Sequence, residues 1–193
     1  MRILTTILAL LLPAMAASAA PVDPPTPTEP RAEFALTYNW VHTNAPPADC
    51  GCFSMNGGSL DFAWRFTRTF SVVAEEGAVS ASNVDGSNQG LILFNAAAGP
   101  RYTLPLHSRF KPFGQVLVGA VHADAGLSPG KLAIGSNNAF SMLAGGGLDV
   151  RLSPHFALRA IQADYFLTML NNRADDRQNN ARISAGIVYR FGN

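Results

Sequence analysis

Residues 33–42 read EFALTYNWVH and alternate without a break. Phe34, Leu36, Tyr38 and Trp40 share one face, while Glu33, Ala35, Thr37 and Asn39 share the other. Residues 59–66, SLDFAWRF, repeat the arrangement, with Leu60, Phe62, Trp64 and Phe66 set against Asp61, Ala63 and Arg65. Period-two alternation marks a β-strand whose two faces meet different environments. A chain made of such strands must lay each apolar face against a second sheet or against lipid.

Six further segments follow the pattern more loosely. Phe70 to Glu76 puts Ser71, Val73 and Glu75 on its polar side. Residues 91–102 set Asn95 and Arg101 opposite Phe94, Ala96, Ala98 and Tyr102. Residues 109–122 group Arg109, Lys111 and Gln115. Residues 139–152 place Phe140, Met142, Leu148, Val150 and Leu152 opposite Ser141, Asp149 and Arg151. Residues 156–167 slip phase between Arg159 and Gln162, which a β-bulge would restore. Residues 181–191, ARISAGIVYRF, close the series with Arg182 and Arg190 facing away from Ile183, Ile187 and Tyr189.

The connections discriminate between architectures. About 16 residues separate the first two strands on these boundaries. A tight turn at 67–69 follows, then gaps at 77–90, 103–108, 123–138, 153–155 and 169–180. Long and short gaps alternate. An up-and-down barrel with one looped rim and one turned rim has this rhythm. A Greek-key sandwich has no reason to show it.

Charged residues make up only 14% of the chain, and the net charge of +1 offers no basic surface for nucleic acid. Beyond the N-terminus, no apolar run approaches the length of a membrane helix. The N-terminus, MRILTTILALLLPAMAASAA, has a basic start at Arg2, an apolar stretch from Ile3 to Leu12 and small residues before Ala19 and Ala20. These are the parts of a cleavable export signal over residues 1–20. Residues 21–32 open with PVDPPTPTEP, in which every second residue on average is proline, and read as a disordered spacer. The barrel domain is expected over residues 33–193.

Tilted strands of 9–11 residues cross a bilayer only as a closed barrel, because lipid leaves no partner for an open edge. The apolar faces then point to lipid and the polar faces inward. A guanidinium turned to mid-bilayer lipid would cost roughly 2–4 kcal/mol. Eight strands enclose room for side chains and not for a wide channel. The inward set is then Asp61, Arg65, Glu75, Arg101, Asp149, Arg151, Arg159, Asp164, Arg182 and Arg190, expected as a salt-bridged polar plug. For any one of these, a solvated surface charge is the bland alternative; shared strand phase across the set argues against it. Tyr38, Trp40, Trp64, Phe66, Tyr102, Tyr165, Tyr189 and Phe191 fall near strand ends, as interfacial girdles would, or as core aromatics of a soluble fold would.

With these features the chain resembles the small eight-stranded outer-membrane barrels, the group of the OmpA transmembrane domain, the OmpX and Ail-like proteins and the opacity proteins. Gly186-Ile187-Val188-Tyr189-Arg190-Phe191 is similar to the closing Gly-x-x-aromatic-x-aromatic signal of that group. Gly192 and Asn193 follow the aromatic that usually ends such chains, and Ala185 stands where a polar residue is common. The resemblance implies an all-β, eight-stranded antiparallel up-and-down transmembrane β-barrel in the outer membrane. It implies membrane lipid and lipopolysaccharide as surroundings, and recognition of Gly186, Tyr189 and Phe191 by the barrel assembly machinery. The chain stops at residue 193, so no cell-wall-binding domain is expected after the barrel.

Other motifs are weaker. Cys50 and Cys52 lie in ADCGCFSMNGG. An exported chain permits a disulfide there, although one intervening residue makes a tight ring; a redox or metal site is the alternative, and two thiolates alone make a poor zinc site. His42, His107, His122 and His155 form no spaced metal pair. A lipid deacylase would need a histidine with a hydroxyl and an acid. His122 and Asp124 could share a face, but no serine accompanies them. The LAGGG run at 143–147 lacks the helix that follows a phosphate loop, so its glycines read as a site of close approach. The expectation is therefore a plugged barrel with a structural or adhesive role, acting through four long outer loops on an extracellular ligand. No catalytic residue, cofactor or metal is assigned. A lipid-modifying enzyme and a narrow pore are the rivals.

Overall fold

The computed structural model describes residues 30–45, 51–82, 84, 90–106, 108–124, 137–170 and 177–192. The expected signal, residues 21–29 of the spacer and Cys50 lie outside them, as does the side chain of Cys52. Among the described residues eight strands form and no helix. They are β1 (Ala32–Ala45), β2 (Gly51–Arg65), β3 (Phe70–Ala81), β4 (Leu91–Thr103), β5 (Phe110–Asp124), β6 (Asn137–Arg151), β7 (Phe156–Thr168) and β8 (Gln178–Phe191). Each pairs antiparallel with the next, and β8 closes on β1 from Ala32↔Phe191 to Thr43↔Asn180. Stepping around the ladder through paired residues from Ala32 returns to β1 at His42, so the strands are strongly tilted.

Several strand boundaries differ from the sequence expectation. The strand expected at 59–66 begins at Gly51, and the one expected to end at Glu76 runs to Ala81. Met55 pairs with Val41 and Val79 with Gly57, so a neighbouring ladder extends these glycine- and serine-rich segments beyond their alternation. The first connection is thus only residues 46–50, no longer than the turn at 104–109, and the strict alternation of gap lengths fails there. It holds for 82–90, 125–136 and 169–177 on one rim against 66–69, 104–109 and 152–155 on the other. At the N-terminal boundary, Ala32 already opens β1 and Arg31 N donates to Gly192 O at 2.8 Å, so these residues belong to the barrel and not to the spacer.

The phase slip in β7 is a bulge. Register shifts at Leu148/Asp149 against β6 and between Arg159 and Gln162 against β8. Arg159 and Gln162 both point in, while Ala160 and Ile161 both point out.

The wall faces divide as the alternation requires. Leu36, Leu60, Val72, Val116, Ile161, Ile183 and Ile187 stand exposed on the outer surface. The interior has two tiers, which the sequence did not suggest. Toward the turned rim it is charged. Toward the looped rim it is mainly apolar, built from Val41, Met55, Val79, Leu93, Leu117, Val121, Leu143 and Phe166, with the buried polar Thr43, Ser141, Thr168 and Asn180 among them. Strands pack closely at two glycines that matter below. A Cβ on Gly186 would lie 2.0 Å from Leu36 O, and one on Gly147 would lie 2.8 Å from Cζ of the interior Phe113.

Candidate functional site

The charged tier is built by the inward-facing phase of each strand, which in β7 changes at the bulge between Arg159 and Gln162. Near its centre Arg159 of β7 donates from Nη1 to Asp61 Oδ2 at 2.7 Å and from Nε to Asp149 Oδ1 at 3.0 Å. The bulge places Gln162 beside it, where Oε1 accepts from the same Nη1 at 3.0 Å. Arg101 of β4 reaches the same Asp61 oxygen at 3.1 Å and Gln115 Oε1 at 2.8 Å. The Arg101 and Arg159 guanidinia lie 4.6 and 4.8 Å from the centroid of the Phe113 ring, in the space that Gly147 leaves.

A second cluster lies further toward the looped rim. Arg182 of β8 donates to both oxygens of Glu75 on β3, at 2.5 and 2.8 Å, and from Nη2 to Asp164 Oδ2 at 2.8 Å. Asn95 Nδ2 also serves Glu75, and Gln162 Nε2 serves Asp164. Next to the turned rim, Glu33 Oε1 takes Arg65 Nη2 at 2.5 Å and lies 3.2 Å from Arg190 Nε. The carboxylates Glu33, Asp61, Glu75, Asp149 and Asp164 thus face the guanidinia Arg65, Arg101, Arg159, Arg182 and Arg190, one for one. Arg159 is 0% exposed, and no buried charge of this tier stands without an opposite partner.

Two members differ from the expected set. Arg151 has the right phase but sits exposed at the turned rim, outside the network; phase reports which face a residue takes, not how far along the barrel it lies. Glu33 belongs to the network although the expected charge set left it out. It shares alternation with Ala35, Thr37 and Asn39, and that signal was present in the sequence.

The outer wall carries the aromatics. Phe156, Tyr189, Phe191, Phe34, Phe62 and Trp64 form one continuous chain of ring contacts near the turned rim, with centroids 5.0–6.5 Å apart. Tyr38, Trp40 and Tyr165 stand exposed nearer the loops. Two outer-wall features escaped the sequence reading. Glu76 faces outward between Leu60 and Ala96 in the ladder and makes no hydrogen bond or ion pair among the described residues. It borders a shallow groove of about 620 Å³ floored by Gly58, Ala78, Ala96 and Ala120. His42 Nδ1 lies 3.3 Å from Ser54 Oγ on the neighbouring strand. The signal was hidden because Ser54 lay in a segment read as loop. His122 pairs with Asn138 at 2.7 Å. Neither histidine meets a carboxylate among the described residues.

A closed, tilted eight-stranded barrel with a mostly apolar outer belt, aromatic ends and a salt-bridged charge network in its lumen defines a transmembrane β-barrel of the outer-membrane type. The OmpA-like transmembrane domain family matches residues 65–193, and the chain belongs to that family. Solved barrels share the architecture. Neisserial surface protein A superposes with a TM-score of 0.59 at 14% identity, covering 82% of this chain and 97% of that one. Ail, the attachment invasion locus protein of Yersinia pestis, does so at 0.54 and 18%, covering 84% and 99%. The N-terminal barrel of Pseudomonas aeruginosa OprF gives 0.50 and 13%, covering 84% and 98%. At these identities the likeness is one of fold. No curated protein sequence matches the chain.

Proposed function

We propose that the protein is a sealed outer-membrane barrel that braces the membrane and presents its looped rim to an extracellular ligand. The observation that carries this reading is the doubly closed lumen. Arg159 and Arg182 tie opposite walls together through Asp61 and Glu75, and above them Val41, Leu93, Leu117, Leu143 and Phe166 fill the lumen beside the hydrogen-bonded Thr168, Gln178 and Asn180. A chain sealed in this way acts at its surfaces. Export by the residue 1–20 signal, contact with lipopolysaccharide and membrane lipid at the outer belt, and handling by the barrel assembly machinery through Gly186, Tyr189 and Phe191 belong to the same proposal. Ail has been solved in complex with the heparin analogue sucrose octasulfate, and a polyanionic host ligand is a reasonable first probe for these loops.

Planar-bilayer recording tests the seal: the refolded chain should show no steady conductance, and stable open channels would replace this reading with that of a narrow pore. Exchanging the three longer connections for short turns should abolish ligand or cell adhesion while heat-modifiable migration persists; unchanged adhesion would remove the loop role. The His42–Ser54 pair favours one rival, a lipid-modifying enzyme. Incubation with labelled lipid A decides it, because that rival requires product formation that His42→Ala abolishes.

A further inference from the structure

The turned rim opens into a cavity of about 780 Å³ whose lining gathers charge of one sign. Arg65, Arg101 and Arg190 form its floor, and Arg68, Arg109, Lys111 and Arg151 its edge. These are half of the 14 basic residues of the chain, against which the lining holds only Glu33 and Asp149. Both carboxylates are already engaged, Glu33 by Arg65 and Arg190 and Asp149 by Arg159.

The edge is where the balance fails. Arg151 N donates to Arg109 O at 2.8 Å, so two arginines are held side by side on adjoining backbone. Both are exposed, as is Arg68 on the β2–β3 turn. The side chains of Arg68, Arg109 and Arg151 make no hydrogen bond or ion pair among the described residues. Like charges held on adjoining backbone repel one another and oppose the fold. One floor donor is also poorly used: Arg190 Nε is buried 3.2 Å from Glu33 Oε1 without hydrogen-bond geometry.

The geometry points to an anion site at this mouth, specific for a phosphate group. Guanidinia from the β2–β3 turn (Arg68), the β4–β5 connection (Arg109) and the end of β6 (Arg151) line this one mouth, and the planar fork of arginine matches phosphate oxygens in pairs. A carboxylate has only two oxygens and is satisfied by one such fork. A phosphate presents enough acceptors to be shared among forks arriving from different sides. A cavity of this size holds a small phosphorylated ligand. The flanking Leu104, Leu106 and Leu152 are exposed beside the arginines, so a phospholipid headgroup from the adjoining leaflet has the same chemistry available to it. The site is independent of the role proposed for the loops, since it lies on the opposite rim.

The test uses the refolded full chain in zwitterionic micelles, titrated with inorganic phosphate by calorimetry at constant ionic strength. Saturable binding is expected, weakened about tenfold or more in the Arg109→Gln/Arg151→Gln double variant and unchanged in Arg177→Gln at the other rim. A second arm measures thermal unfolding in phosphatidylcholine vesicles with and without phosphatidylglycerol. Stabilisation by phosphatidylglycerol that needs Arg109 and Arg151, without a response to inorganic phosphate, assigns the site to a lipid headgroup; a response to inorganic phosphate assigns it to a soluble ligand. Heat-modifiable migration confirms that each variant is folded. Acetate binding as tightly as phosphate, an unchanged double variant, or silence in both arms overturns the proposal.

Discussion

Replacing Arg182 with methionine is the sharpest perturbation of the interior. Arg182 is 3% exposed and donates four hydrogen bonds, two to Glu75 at 2.5 and 2.8 Å and two to Asp164 Oδ2 at 2.8 and 3.1 Å. Methionine fills much of the volume and supplies no donor. Glu75 then keeps only Asn95 Nδ2 at 3.2 Å, and Asp164 only Gln162 Nε2 at 2.8 Å. Two buried carboxylates would then share the lumen without the guanidinium that joins them. Removing one partner of a buried pair costs about 3–5 kcal/mol, mostly from the charge left behind. Adding Glu75→Leu removes one of those stranded charges, so the double variant should recover part of the loss, with a coupling energy of about 2 kcal/mol or more. Arg151→Met, at the exposed rim, should stay within about 0.5 kcal/mol of the parent. Equilibrium urea unfolding in phosphatidylcholine vesicles, followed by tryptophan fluorescence and gel migration, reads these variants together with Glu75→Leu alone, which completes the cycle. An Arg182→Met cost below about 1 kcal/mol, the range of a solvated pair, or additivity of the two substitutions within about 0.5 kcal/mol, would show that the lumen is wet and the network is not a plug.

Three further outcomes follow from the same packing. Leu143→Ala, at a fully buried position of the apolar tier, should cost about 2–5 kcal/mol in that assay, whereas a water-filled lumen would tolerate it. Glu76→Leu should stabilise the barrel by about 1 kcal/mol, since a carboxylate on the lipid face is unfavourable; a loss of stability would show that Glu76 has a partner in the membrane. Gly186→Ala should reduce refolding yield and cost about 1–3 kcal/mol, because its Cβ would meet Leu36 O at 2.0 Å; unchanged unfolding would confine this glycine to assembly.

Much of the wall was legible in the sequence because hydrocarbon and lumen impose opposite demands on alternate residues. Where both sides of a strand are apolar the code goes silent. Leu117 lies between Val116 and Val118, and Leu143 between Met142 and Ala144, so nothing in those runs marks Leu117 and Leu143 as interior. The apolar tier was therefore unreadable, and the lumen looked uniformly polar. Strand ends were lost for a different reason. Gly51 to Gly58 carries glycine, serine and asparagine that favour turns, and the ladder offered by β1 from Tyr38 to Ala45, joined by β3 at Asn56 to Gly58, makes it a strand. Arg151 was misplaced because alternation fixes the face and leaves the depth open, while the His42–Ser54 contact required a register that no local pattern supplies.

The charged tier explains how a ladder of small and apolar residues settles on one register. Neighbouring strands alone would pair almost as well after a slip, because backbone hydrogen bonds do not distinguish residues. A slip of one residue turns every side chain of a strand to the other face, and would carry guanidinia into lipid at roughly 2–4 kcal/mol each. The ion pairs add a constraint that the ladder lacks. Arg159 and Asp61 stand 98 residues apart in the chain, and Arg182 and Glu75 stand 107 apart, on strands that are not neighbours. Each contact therefore fixes the height of one wall against another across the lumen. The β7 bulge belongs to the same device. Without the extra residue, Arg159 and Gln162 could not both face inward with Ala160 and Ile161 outside, and the shared contact of Arg159 Nη1 with Asp61 and Gln162 would be lost. The irregularity in the wall is thus what lets the regular part of the barrel close in a single register.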